Sequence, residues 1–141
     1  MLGAATNLGS RLHGPEHWAR VAANGIELAA ATGGADRRLV ELFALFHDAM
    51  RENDGRDPEH GLRAARLASE LSDLVGLDQE RATLLDVALE LHAHGHVDDD
   101  PTIGCCWDAD RLDLPRVGTT PRPEFFSTEE GRCRAVVLAG G

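Results

Sequence analysis

Apolar positions recur along this chain at helical spacing, and the residues that interrupt them are helix starters and stoppers. Gly14-Pro15-Glu16 opens a first helix, with proline near its first position and an acid in the first turn. Val21, Ala22, Ile26, Leu28 and Ala29 form its apolar side, and Thr32-Gly33-Gly34 ends it. Asp36 is placed to cap a second helix whose buried face holds Leu39, Val40, Leu42, Phe43 and Phe46, running into His47-Asp48 and stopping near Asn53-Asp54-Gly55. Asp57-Pro58 repeats the cap-then-proline signature and starts a third helix through Leu62, Ala65, Leu67, Ala68 and Leu71. Asp78 caps a fourth, in which Leu84, Leu85, Val87, Ala88, Leu89 and Leu91 lead to His92. After the loop Val97-Asp98-Asp99-Asp100-Pro101, a fifth and shorter helix runs from Pro101 to about Leu114, carrying Ile103, Trp107, Asp110 and Leu114.

Beyond Pro115 the stretch Gly118-Thr119-Thr120-Pro121-Arg122-Pro123 cannot be regular helix. Ser127-Thr128-Glu129-Glu130 then reads as the start of a last short helix. Period-two runs are almost absent, and Val136-Val137-Leu138 is too short to change the class. The pattern predicts an all-α, single-domain helical bundle over residues 1–141, with about five to six helices. Its core covers about residues 10–118, and the segment 119–141 packs back or is partly ordered.

Composition narrows the function. A chain of 141 residues can bury one core without staples. Acidic residues outnumber basic ones 24 to 14, the net charge is −10, and every cation is arginine. Such a surface repels nucleic-acid polymers. A small anionic substrate is compatible with it, because a metal and local arginines reverse the field inside a cleft. Cys105, Cys106 and Cys133 make no CxxC pair, and two adjacent cysteines cannot form an unstrained disulfide. Met1–Asn7 lacks a basic region followed by an apolar core, and no stretch approaches a membrane span. The expectation is a cytoplasmic protein with no membrane partner.

The histidines carry the chemistry. His17 falls in the first turn of the first helix, His47-Asp48 late in the second, His60 in the first turn of the third and His92 late in the fourth. In an up-and-down arrangement the end of the second helix meets the start of the third, with the end of the fourth beside them, so these candidates gather at one end of the bundle. Asp110, on an apolar helix between Trp107 and Leu114, joins them. An imidazole beside a carboxylate at the end of a buried stripe is costly unless a charge offsets it, and a divalent metal is the natural one. Adjacent helical residues point about 100° apart, yet His47 and Asp48 can both reach an ion set at the side of a helix end. His94 and His96 are weaker candidates, because Gly95 breaks the helix there. Cys105 and Cys106 read as core-facing thiols, and Trp18 and Trp107 as wall and core.

The order His17, then His47-Asp48, then a distant Asp110, all on helices, resembles the HD-domain superfamily of metal-dependent phosphohydrolases over roughly residues 10–118. Asp57-Pro58-Glu59-His60-Gly61 and the stretch from Asp98 to Asp113 also resemble segments of uncharacterised bacterial HD-domain proteins. The resemblance implies that His17, His47, Asp48 and Asp110 hold one divalent metal and that His60 and His92 hold a second, with Asp48 bridging. It further implies hydrolysis of a small phosphate ester, such as a nucleotide, by a metal-activated water. Nitrogen and oxygen ligands without thiolate suit Fe, Mn, Co, Ni, Zn or Mg. Arg51, one turn after His47, and Arg111, beside Asp110, are the better candidates among the arginines for phosphate contacts, with solvated helix-face charges the favoured reading of both. Glu52, Asn53 and Asp54 read as a helix-end cap. Two other functions share the pattern: a mixed-valent di-iron oxygenase using the same four His and two Asp, and a non-catalytic HD-like ligand-binding or interaction module.

Overall fold

The computed structural model describes residues 9–10, 12–53 and 57–140. Among them seven α-helices follow one another: α1 (Pro15–Ala31), α2 (Arg37–Phe46), α3 (His60–Glu70), α4 (Ser72–Val75), α5 (Gln79–Leu91), α6 (Pro101–Arg111) and α7 (Glu129–Leu138). Two 3-10 turns, Leu114–Val117 and Pro123–Phe125, lie between α6 and α7, and no described residue is in a strand. The helix beyond the expected five to six is α4, a single turn with no buried residue. A turn that short has no apolar period to read.

Local capping chemistry sets most of the starts. The Asp36 carboxylate accepts the Leu39 N–H, Asp78 accepts that of Arg81, and Asp100 accepts those of Thr102 and Ile103. Each such cap is worth about 1 kcal/mol. Asp57 corrects the pattern: α3 starts at His60, and the Asp57 carboxylate is taken instead by Arg63 Nη2 at 2.6 Å and by the Glu52 N–H at 2.7 Å. A charge-assisted arginine contact outcompetes the neutral N–H groups of a nascent helix. The second helix also ends early, at Phe46. There Ala49 N–H turns back to the Phe46 carbonyl and Arg51 N–H to the Asp48 carbonyl, giving a tight turn over His47–Met50. Asp54 and Gly55 of the expected stop signal, and the Met1–Asn7 segment, lie outside the described residues.

The core is organised around α2, which touches α1, α3, α5 and α6. Leu39, Val40, Phe43, Ala44 and Phe46 of α2 are buried against Val21 and Leu28 of α1, Leu89 of α5 and Trp107 of α6. Nine of the eleven residues of α6 are buried, because α7 packs on it opposite the core. Asp108 fastens that return: its carboxylate accepts the Ser127 and Thr128 N–H groups at 2.8 Å each and the Thr128 hydroxyl at 2.7 Å. Burial pushes this carboxyl up, against those hydrogen bonds. Cys105 and Cys106 are buried in the core, which raises both thiols and leaves them unreactive. No helix among the described residues is long and apolar enough to cross a membrane.

Candidate metal centre

Helix ends bring the sequence-predicted ligands together. His17 sits in the first turn of α1, His47 and Asp48 just past α2, His60 at the first position of α3, His92 just past α5 and Asp110 in the last turn of α6. They form two adjoining groups, His17-His47-Asp110 and Asp48-His60-His92, with the ligand atoms of each within 4.8 Å of one another. His17 and His47 are fully buried.

Asp48 stands between the groups and divides its oxygens. Its Oδ2 lies 3.4 Å from Nε2 of both His17 and His47. Its Oδ1 lies 3.3 Å from His60 Nε2 and 3.7 Å from His92 Nε2. Asp110 Oδ1 closes the first group, at 3.1 Å from His17 Nε2 and 3.3 Å from His47 Nε2.

The other nitrogen of each ring explains why these atoms face inward. His47, His60 and His92 donate Nδ1–H to the carbonyls of Ala44, Asp57 and Leu89, at 3.0, 2.6 and 2.7 Å. His17 donates Nδ1–H to Asp113 Oδ2 at 2.7 Å. Ala44 and Leu89 lie in the last turns of α2 and α5, where carbonyls lack helical partners. With Nδ1 carrying the proton, a neutral ring presents a lone pair at Nε2. Yet Nε2 of His17 and His47 are 2.9 Å apart, and those of His60 and His92 are 2.8 Å apart. Two lone pairs at that distance repel, so each pair needs a cation between its nitrogens, either a proton or a metal. Imidazoles oriented by carbonyl and carboxylate partners, with two carboxylates and no thiolate, fit a divalent metal.

Proton affinities follow the same geometry. Burial opposes charge on His17, but Asp110 and Asp48 outweigh it and lift the imidazole to about 9. Burial likewise opposes charge on His92, which Asp48 and Asp110 nonetheless raise, whereas burial and the neighbouring His92 push His60 down to about 4. Burial raises Asp48 and Asp110, yet the surrounding histidines, His47 foremost, hold both well below the usual carboxylate range. The sign for stability is therefore set on both sides. A His17 raised from 6.5 to about 9 supports the metal-free fold below pH 6.5, and that support, of order 3 kcal/mol, is lost as pH rises through 9. A His60 lowered from 6.5 to about 4 costs stability as pH falls through that interval. Melting curves of chelator-treated protein are expected to show the highest Tm near pH 6.5 and a fall on either side. A saturating divalent metal removes the alkaline fall, because it replaces the proton. A metal-free Tm that rises from pH 7 to 9 would contradict this assignment.

The two arginines fall differently from the solvated reading. Arg51 is largely buried, and its Nε donates to Asp48 Oδ1 at 3.2 Å while Nη1 donates to the Asn53 carbonyl at 3.1 Å. It holds the dividing carboxylate. Arg111 is also buried, with Nη1 donating to the Phe125 carbonyl and the guanidinium 5.8 Å from the Trp107 ring centre. Of the expected capping residues, Glu52 has an exposed side chain, Asn53 offers its carbonyl to Arg51, and Asp54 lies outside the described residues. His94 and His96 stack on each other 6.1 Å apart, exposed and outside both groups.

Sequence reasoning missed two contributors. His13 is buried with Nδ1 3.1 Å from Asp48 Oδ2, and its carbonyl accepts the Trp18 indole N–H at 2.6 Å. It precedes α1, so no helical face marked it. Asp113 receives His17 Nδ1–H and the Arg20 Nε–H, the latter at 2.8 Å. Its spacing three residues after Asp110 was the available signal.

No family model matches the chain, and neither does any curated protein. Among solved structures, the chain is similar to a predicted HD superfamily hydrolase from an uncultured Thermotogales bacterium, with a TM-score of 0.76 and 27% identity. The likeness covers 98% of this chain and 80% of that one. The all-helical fold matches that of this HD-domain neighbour. Its buried His/Asp cluster is compatible with a divalent metal site.

Proposed function

We propose that this protein is a metal-dependent phosphohydrolase acting on a small phosphate ester, with nucleotides the first class to test. The observation that carries the reading is the division of Asp48, one oxygen to each histidine pair. His17, His47 and Asp110 would hold one divalent ion and His60 and His92 a second, with Asp48 shared. Two such ions, when bound, supply a water of lowered pKa and Lewis acidity at a phosphoryl oxygen.

The chain's own residues prepare that chemistry. Carbonyls of Ala44, Asp57 and Leu89, and the Asp113 carboxylate, keep the protons on Nδ1 and leave Nε2 free to ligate. Arg51 and His13 grip opposite oxygens of Asp48, so the carboxylate cannot swing wholly to one pair. Arg51 is thus a positioning residue that acts through Asp48. The neighbour's description as a hydrolase supports the same reading.

The test is metal quantification paired with a phosphate-release screen on protein reconstituted with Mn, Co, Fe or Zn. About two ions per chain and turnover of a phosphomonoester or nucleotide are expected. Failure to cleave any phosphomonoester, phosphodiester or nucleotide would overturn the reading. Two irons with a mixed-valent EPR signal would point to the oxygenase instead, and tight metal binding without turnover to the non-catalytic module.

A further inference from the structure

Beside the centre, between the end of α6 and the chain returning toward α7, lies a cavity of about 380 Å³. His92 and Asp110 of the centre line it, together with Arg111, Thr120, Arg122 and Phe125. The cavity therefore opens onto both histidine-carboxylate groups.

Arg111 is 8% exposed, and its Nη2 is the buried side-chain nitrogen that has no hydrogen-bond partner among the described residues. A buried guanidinium N–H left unpaired is costly, and such a group calls for an explanation. The two flanking carboxylates do not supply one. Asp108 is committed to Ser127 and Thr128, and the Oδ1 of Asp110 to His17 and His47. The rest of the guanidinium is held by the Phe125 carbonyl and lies over Trp107, at the wall of the cavity. A cation with one unfilled donor beside a metal-type centre selects an anionic oxygen.

The other wall is apolar. Phe125 is 42% exposed although it is a large hydrophobic residue, and the Arg122 guanidinium stands 5.5 Å from its ring centre. Its carbonyl bond to Arg111 couples this wall to the anion-binding position. Small-molecule sites span roughly 300–1,000 Å³, so this cavity lies at the small end, sized for one phosphate and one ring system.

We propose that this cavity is the substrate-binding pocket. Arg111 takes an anionic oxygen of a phosphomonoester, and Phe125 covers a flat ring in the ester's organic part. Turnover of that ester rests on the phosphohydrolase reading; the binding does not.

The experiment measures affinity by calorimetry on metal-loaded protein, using methyl phosphate and phenyl phosphate as probes. Trp107 emission is followed in parallel, since Arg111 lies over that ring. Phenyl phosphate is expected to bind more tightly than methyl phosphate. Phe125→Ala removes that preference, weakening phenyl phosphate roughly fivefold while leaving methyl phosphate unchanged. Arg111→Lys keeps the charge but loses the fork, and weakens both probes by roughly tenfold or more. The pocket assignment is overturned if neither probe binds, if a folded Arg111→Lys binds both as wild type does, or if Phe125→Ala leaves the phenyl preference intact. Should Arg111→Lys fail to fold, the Phe125→Ala result decides, because that side chain sits on an exposed turn. Binding with these dependences but without phosphate release would sink the hydrolase reading alone. A phosphatase indifferent to both substitutions would sink the pocket alone.

Discussion

Asp48→Asn is expected to lower kcat/KM for phosphate release by about a thousandfold or more, a loss of at least about 4 kcal/mol of transition-state stabilisation. Asparagine keeps the size and one oxygen, but it cannot offer an anionic oxygen to each histidine pair. Bound metal should fall from about two ions per chain to at most one. In the metal-free protein the same change leaves Arg51 and the protonated histidine pairs with a neutral partner in a buried site. Breaking a buried ionic cluster on one side typically costs about 3–5 kcal/mol, so the Tm of the chelated variant should drop well below that of wild type. Metal content by mass spectrometry, kcat/KM and thermal melts test the three parts separately. An Asp48→Asn protein that keeps two ions and near-normal turnover would rule out the dividing carboxylate as the centre's shared ligand.

Gly61→Ala should act on one half of the centre from a position that touches no ligand atom. A Cβ at residue 61 would lie 2.5 Å from the Leu89 carbonyl oxygen and 2.9 Å from that of Glu90, which are backbone atoms of α5. Backbone cannot rotate aside as a side chain can, so α3 must move off α5. His60 adjoins this glycine and His92 follows α5, so the 2.8 Å approach of their Nε2 atoms would be lost. Alanine's better helix propensity returns about 1 kcal/mol, while overpacking costs about 1–3 kcal/mol or more. The expected outcome is a modestly destabilised protein that binds about one metal ion and turns over about a hundredfold more slowly. Gly33→Ala is the control, since its Cβ meets nothing within 4 Å and should leave metal stoichiometry unchanged. Retention of two ions in Gly61→Ala would show that the α3–α5 approach does not define the second group.

Much of the fold was legible because its signals are local. Asp36, Asp78 and Asp100 cap the helices they precede, and Pro15 and Pro101 open α1 and α6. Asp57 misled because its partner, Arg63, lies across a turn whose shape the hydrophobic pattern does not encode. The candidate ligands were legible for a related reason. Each lies at or near a helix end, and a bundle brings helix ends together.

Residue types, most helix starts and the order of histidines and carboxylates were therefore determined by the sequence itself, which settled an all-α chain with a metal-type donor set. Tertiary structure alone decided how those donors are used. It divided Asp48 between two pairs, aimed each Nε2 inward through a carbonyl or Asp113, and turned Arg51 onto Asp48. It also buried Arg111 beside a cavity. These outcomes join residues as distant as His17 and Asp113, 96 positions apart. Contacts of that separation are fixed by how helices pack, and packing leaves no periodic mark along the chain.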